Sequence, residues 1–382
     1  SLTDKFTTAE NSMNKKLLTL AVAAAMVAPT AAMADAILYG KLHVSMDWAN
    51  VNTNGNEFMG WGLNGGGRIP GEGRASRIGV KGSEDLGNGL KAIYQVELGV
   101  QLAEENSKYG NPRSAGNLAS GADNSVYMRN TFVGLAADWG TLVIGRNDTP
   151  MKTSTGKLDL FADTMADFNS TVGFDDRRVD NAVAYISPNL GGFQLAGAVV
   201  AGGGSTAGAG YNNNSDSLTE AYSVAGIYSN GPFYASLAYE SIGNELYMTT
   251  AQSNADLISD DYSKWRVGLG LLNWNGFTLT GIYEDQDFGD TSATLDGRTL
   301  WQIEAGYAFG NEMVKAMYGQ GDRDPIVKNS PWDESYQTWA IAFDHNFSKR
   351  TKAYVVYTET DDDYNADNLS WSGFSLGMSH EF

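Results

Sequence analysis

The 382-residue chain has no cysteine and three histidines. Disulfides and thiolate metal sites are thereby excluded, so stability must come from packing and backbone pairing. The histidines, His43, His345 and His380, stand in separate segments with no serine or carboxylate spaced as a catalytic triad requires, and catalysis has little support. Basic residues are also scarce, 26 Lys and Arg against 45 Asp and Glu, giving a net charge of −19. Nucleic acid is therefore not an expected partner. Beyond the first thirty-odd residues no run reaches the roughly 18 consecutive apolar residues of a spanning helix.

The start of the chain supplies a compartment. From Met13 it reads "MNKKLLTLAVAAAMVAPTAAMADA": two lysines, an apolar stretch from Leu17 to Ala28, then Ala32-Met33-Ala34. This is the pattern of a secretory signal with an A-x-A cleavage site, too short to be a membrane span. We expect residues 1–12 to be an extension upstream of the initiator, 13–34 to be the signal peptide, cleaved after Ala34, and 35–382 to be the mature protein. Residues 1–34 carry three lysines against two acids, and removing that single positive charge from −19 leaves −20.

What is abundant is glycine and aromatics, with 45 Gly, 19 Tyr, 15 Phe and 9 Trp. Segments of about ten residues alternate strictly. In 37–48, Leu38, Leu42, Val44, Met46 and Trp48 oppose Lys41, His43, Ser45 and Asp47; in 301–309, Trp301, Ile303, Ala305, Tyr307 and Phe309 oppose Gln302 and Glu304. The same pattern recurs at 90–98 and 339–347. Period two marks strands with one apolar and one polar face. A soluble sandwich hides its apolar faces against each other. A membrane barrel turns them to lipid, gathers aromatics at the two interfaces and lines a wet interior with polar residues. The aromatics near strand ends, Tyr39, Trp48, Trp301 and Tyr307, favour the barrel.

Seven tight turns are expected, at 83–89, 136–141, 187–192, 229–232, 273–276, 309–312 and 347–350, most carrying the Gly, Asn, Asp or Pro that hairpins demand. Long polar stretches separate them, among them 50–73, 101–125 and 147–180. Seven hairpins and one strand at each end make sixteen strands. The chain ends on "LSWSGFSLGMSHEF", where Phe374, Leu376, Met378, His380 and Phe382 share one face. Chain ends normally fray. A strand that stops flush on an aromatic is explained if it pairs with the first strand and closes the barrel, since an unpaired backbone group in hydrocarbon costs several kcal/mol.

Four segments in this order, "RIGVKGSEDLGNGLKAIYQVELG" at 77–99, "RNTFVGLAADWGTLVIGR" at 129–146, "RRVDNAVAYISPNLGGFQ" at 177–194 and the closing "LGMSHEF", resemble the trimeric general porins of Gram-negative bacteria, especially the branch common in beta- and gammaproteobacteria. The resemblance implies a sixteen-stranded antiparallel transmembrane β-barrel in the outer membrane whose third loop, here 147–180, folds inward. It implies an acidic constriction on that loop, Asp159, Asp163, Asp167, Asp175 and Asp176, facing basic wall residues that map onto Arg77, Lys81, Arg129 and Arg178. Opposed charge across a narrow wet gap makes a transverse field that orients and sorts solutes. It further implies a homotrimer in contact with lipid bilayer and lipopolysaccharide, and recognition of Phe374, Leu376, Met378, His380 and Phe382 by the barrel assembly machinery. The family usually carries a basic residue just before the final Phe; Glu381 departs from that.

The expected function is passive diffusion of small hydrophilic solutes and ions, with no cofactor and no metal. A substrate-preferring channel would need an inward ladder of one charge or of aromatics. The inward set is mixed, with Lys41, Lys91, Arg266 and Lys315 against Asp47, Glu97, Glu284, Glu304 and Asp344. A barrel-based hydrolase or adhesin is the remaining alternative, and no serine, histidine and acid cluster supports it. The glycine-rich runs 65–73 and 201–210 read as outer loops, and Asp361, Asp362 and Asp363 as a solvated acidic run able to meet divalent cations.

Overall fold

The computed structural model describes residues 35–53, 56–63, 74–100, 102, 126–202, 217–243, 262–289, 295–326, 335–362 and 370–382. The expected signal and upstream extension, half of 50–73, and most of 101–125 and 201–210 lie outside them.

The strands are β1 (Ile37–Thr53), β2 (Asn56–Leu63), β3 (Arg77–Gly87), β4 (Leu90–Val100), β5 (Val126–Ala137), β6 (Gly140–Asp148), β7 (Arg178–Ile186), β8 (Phe193–Val200) and β9 (Ala221–Asn230). They continue as β10 (Phe233–Ile242), β11 (Tyr262–Trp274), β12 (Phe277–Asp287), β13 (Leu295–Phe309), β14 (Glu312–Pro325), β15 (Ser335–Asn346), β16 (Thr351–Asp362) and β17 (Trp371–Glu381). Two short helices, α1 (Pro150–Thr155) and α2 (Phe168–Thr171), lie between β6 and β7. Every pairing is antiparallel, and β1 pairs with β17 along Lys41↔Glu381 to Val51↔Trp371, which closes the sheet on itself. Phe382 extends the closure: its N–H donates to the Gly40 carbonyl and its carbonyl accepts from Gly40, both at 3.1 Å.

Seventeen ladders make sixteen staves. β2 and β3 lie on the same side of β1, β2 along its later half and β3 along its first five residues, so together they form one stave interrupted between Leu63 and Arg77. This corrects the reading of 50–73 as a plain outer loop: strand runs to Thr53 and resumes at Asn56, and the interruption falls inside a stave. All seven expected turns are present. Two of them use Asn-Gly with positive φ at both residues, Asn88 and Gly89 at 53° and 76°, Asn275 and Gly276 at 53° and 88°. That is the geometry whose twist matches paired strands.

The barrel is inside out relative to a soluble protein. Along β1, Leu42, Val44 and Met46 are 43%, 39% and 45% exposed, whereas His43, Ser45 and Asp47 are each 1% exposed. Charged side chains therefore line the interior, and the apolar outer band meets hydrocarbon. Tyr39 departs from expectation. It shares the parity of Lys41, and its hydroxyl donates to Glu97 at 2.9 Å inside the barrel, so it is no part of the outer aromatic girdle.

Candidate functional site

The interior is partly filled by the segment joining β6 to β7. It begins with Thr149 capping α1 by accepting from the Lys152 N–H, with Pro150 placed where no N–H is needed. Its apolar residues Leu158, Phe161, Met165, Phe168, Val172 and Phe174 are 0–2% exposed. They pack on inward-facing side chains such as Tyr234, Ile282, Leu300, Met317 and Tyr354. Glycine on the inner face of the staves makes room: a Cβ on Gly268 would come within 2.5 Å of Leu158, and one on Gly319 within 2.5 Å of Val172.

Wall side chains bind the segment's backbone at intervals. Tyr234 donates to the Ser154 carbonyl (2.8 Å), Thr280 to Leu158 (2.8 Å), Lys315 to Leu160 (2.6 Å), Tyr336 to Val172 (2.5 Å) and Arg298 to Gly173 (2.9 Å). Glu304 accepts the Leu160 N–H at 2.6 Å. These bonds satisfy carbonyls of an irregular chain that would otherwise be buried unpaired.

The expected acids divide into three groups. Asp175 and Asp176 turn toward β11: Lys264 lies 3.0 Å from Asp175 and Arg266 lies 2.6 Å from Asp176. Arg266 is fully buried, also binds Glu284 at 2.5 Å and Thr155 at 2.8 Å, and sits 5.3 Å from the Phe174 ring. Burial raises the Asp175 carboxyl, but the Lys264 and Arg177 cations beside it more than reverse this and hold it at about 2. Asp176 remains raised by burial in spite of Arg266. Asp163 forms the second group alone, 2.7 Å from Lys41 on β1. Burial is outweighed there by Lys41 and then by Arg77, and its carboxyl is lowered. Asp159 and Asp167 form the third. Asp167 caps α2 through the Asn169 N–H and accepts from the Asp163 N–H. Burial, and then neighbouring negative charge, pushes it up to about 6, and Asp159 is raised for the same reasons, with Asp167 and Glu304 close by.

The expected basic residues lie on and beside β3 to β7. Arg129 donates to Glu97 at 2.6 Å, Arg77 stands 3.9 Å from the same carboxylate, and Lys81 is exposed with its ammonium 5.0 Å over the Tyr39 ring. Arg178 binds Asp148 at 2.9 Å and Asn130 at 2.8 Å. A register shift between Val96 and Leu98 falls beside Arg129 and Asn130, and lets both of these successive residues bond inward-side partners. Of the other residues singled out, Asp362 pairs with Arg323 at 2.5 Å, Asp361 accepts from Ser370, and Asp363 lies outside the described residues.

The sequence reading omitted Lys264, Arg298, Arg323 and Arg74, although each contributes to the interior. Lys264 was within reach of it, two residues from Arg266 on the same face of β11. Arg74 was not, because it follows the interruption between β2 and β3; it is 2% exposed and binds Asp47 at 2.5 Å and Ser45 at 2.7 Å.

A closed antiparallel barrel with a charged interior and an apolar outer wall is the architecture a channel needs, and comparison with known proteins decides the family. The family model described as Gram-negative porin matches residues 21–365. The chain belongs to the Gram-negative porin family. Among its relatives is the major outer membrane protein P.IB of Neisseria gonorrhoeae, 28% identical over 396 residues, covering 97% of this chain and 100% of that protein. The P.IA protein of Neisseria meningitidis serogroup C is also 28% identical, with the same coverage. Solved structures of like fold include an anion-selective porin from Comamonas acidovorans, with a TM-score of 0.66, 21% identity, and coverage of 91% of this chain and 100% of that one. The OmpF porin of Salmonella typhi, in complex with daunomycin, matches with a TM-score of 0.66 at 15% identity, over 91% of this chain and 98% of that one. This porin is thus a diffusion channel of the bacterial outer membrane.

Proposed function

We propose that residues 149–177 set the narrowest part of this porin's lumen, and that the cations opposite them give it a preference for small anions. The observation that carries the reading is an imbalance of pairing on β3 to β7. Among the described residues, Glu97 is shared by Arg77 and Arg129, Asp148 is shared by Lys152 and Arg178, and Lys81 stands over an aromatic ring. On the other side Asp175 and Asp176 are already taken by Lys264 and Arg266, and Asp163 by Lys41. The net charge of −19 is then a poor guide to selectivity, because screening confines each charge to its own neighbourhood of about 8–10 Å. The anion-selective Comamonas porin of like fold supports the same sign.

The working unit we propose is a homotrimer, exported with cleavage after Ala34 and in contact with lipopolysaccharide. The outward Phe374, Leu376, Met378, His380 and Phe382 of the closing strand serve as the signal read by the assembly machinery. Enzyme activity forms no part of this function. Planar-bilayer recording tests the whole: insertion should give openings in threes, and a potassium chloride gradient should give a reversal potential of the sign set by chloride. A potential of the opposite sign would overturn the anion preference while leaving the channel intact.

A further inference from the structure

Among the described residues, the outer wall carries an apolar dent on β13 and β14. On β13 the outward residues run Trp301, Ile303, Ala305, Tyr307, and on β14 Val314, Ala316, Tyr318. The two alanines are direct partners in the ladder, and Ile341 of β15 follows across Ala316. Removing two large side chains from adjoining staves leaves an apolar groove of about 580 Å³, walled by Phe277, Tyr307, Phe343, Tyr357 and Phe374.

The groove's position fixes what can fill it. It starts at the rung Phe277–Tyr307–Val314–Phe343, one outward rung beyond the short turn at 310–311 and beside the turns at 275–276 and 347–350, on what is the periplasmic side in a barrel of this kind. Val314 and Phe343, in its wall, are ladder partners, and the next outward pair toward the turns is Glu312↔His345. Those two side chains bond each other at 2.9 Å and stay 28% and 39% exposed. Just beyond them the exposed turn carries Lys349 and Arg350. From His345 to Ile341 is about 14 Å of strand at 3.4 Å per residue, or about 10–11 Å of depth at a strand tilt of about 35–45°, which lies within one half of a 30 Å hydrocarbon core. An apolar slot within one leaflet thus ends near an acid, an imidazole and two cations on the side of the short turns.

We propose that this groove is a binding site for one aminophospholipid of the inner leaflet. One acyl chain lies over Ala305 and Ala316, the phosphate meets Lys349, Arg350 and His345, and the ammonium meets Glu312. A second copy of this chain would fill the slot with side chains but would desolvate the Glu312–His345 pair without supplying both charges. A zwitterionic headgroup supplies them in the right order.

Phospholipid retained by the trimer after mild detergent extraction and exchange into lipid-free micelles would be counted by mass spectrometry. Wild type should keep one phosphatidylethanolamine per chain, and Ala316→Phe, which fills the dent from the lipid side, should lose it at least tenfold with heat-resistant mobility and conductance unchanged. Ala305→Phe makes the same test from the neighbouring stave should the first variant fail to assemble. Glu312→Gln should erase the preference for phosphatidylethanolamine over phosphatidylglycerol when the two are offered together. Equal retention in wild type and both alanine variants would overturn the site. So would a change of subunit number without a change in bound lipid, which would make the groove a contact between copies. Conductance is independent of all these results, so the diffusion reading stands or falls separately.

Discussion

The inner faces of β11 and of β3 to β5 present the same kind of cation to the same lumen, and the two have opposite fates. Lys264 and Arg266 are 0% exposed, each held between two carboxylates at 2.5–3.2 Å. Arg77 has a side chain 27% exposed and 3.9 Å from a carboxylate it shares with Arg129. Buried cations with a full complement of acids act as fasteners for the inward segment; in the proposed function, a less buried cation that shares its acid, such as Arg77, is left to act on solutes. On this proposal local pairing, more than residue type, separates structure from selectivity.

Removing a fastener should do most damage. Arg266→Ala leaves Asp176 and Glu284 buried without their cation, a loss of about 3–5 kcal/mol. We expect a lower temperature for loss of the heat-resistant form and larger, noisier conductance as the segment detaches. Replacing Glu284 by Ala in the same chain should recover part of it, and an unchanged single channel would equate the two walls. Next, Gly319→Leu forces a side chain into Val172 with the Trp301 carbonyl 3.1 Å behind, costing about 1–3 kcal/mol. Its conductance should shift in the same direction. Neutralising the other wall should leave stability alone: with Arg77 and Lys81 both changed to Ser, thermal resistance holds while the anion-to-cation permeability ratio falls roughly fivefold, about 1 kcal/mol.

Much of this was legible in the sequence because period two is a local signal. The alternation in β1, β13 and β17 and the Asn-Gly turns were enough to read a sixteen-stave barrel, which the β1–β17 ladder closes. Parity also contained the inward position of Tyr39, which a preference for aromatics at interfaces obscured. What did not show is whatever depends on distant partners. Arg266 and Asp176 are 90 residues apart, and no spacing rule joins a loop acid to one wall of a barrel in preference to another. The interruption between β2 and β3 was hidden because an insertion within a stave looks, along the chain, like the loop between two of them.

The smallest expected effect is the most discriminating, since it titrates one side of the comparison without mutation. Asp167 is raised to about 6 from an ordinary 3.8, whereas Asp175 is held at about 2. For Asp167 the folded chain binds the proton more tightly than the unfolded one, so its contribution to stability is greatest below 3.8 and is lost as pH rises through 6. The sign is reversed for Asp175: its contribution is present above 3.8 and disappears as pH falls through 2. Between pH 7 and 5, therefore, Asp175 keeps its charge and its hold on Lys264, while Asp167 takes up a proton and the lumen loses a negative charge. The anion-to-cation permeability ratio should rise about twofold over that interval, the effect of a few tenths of a kcal/mol from one water-screened charge. Reversal potentials recorded at half-unit steps of pH should place the midpoint near 6, and Asp167→Asn should abolish the step at full conductance. A step that survives this replacement would move the titrating group to Asp159 or Asp176, both also raised by burial, and would redraw which acids of the inward segment face solute.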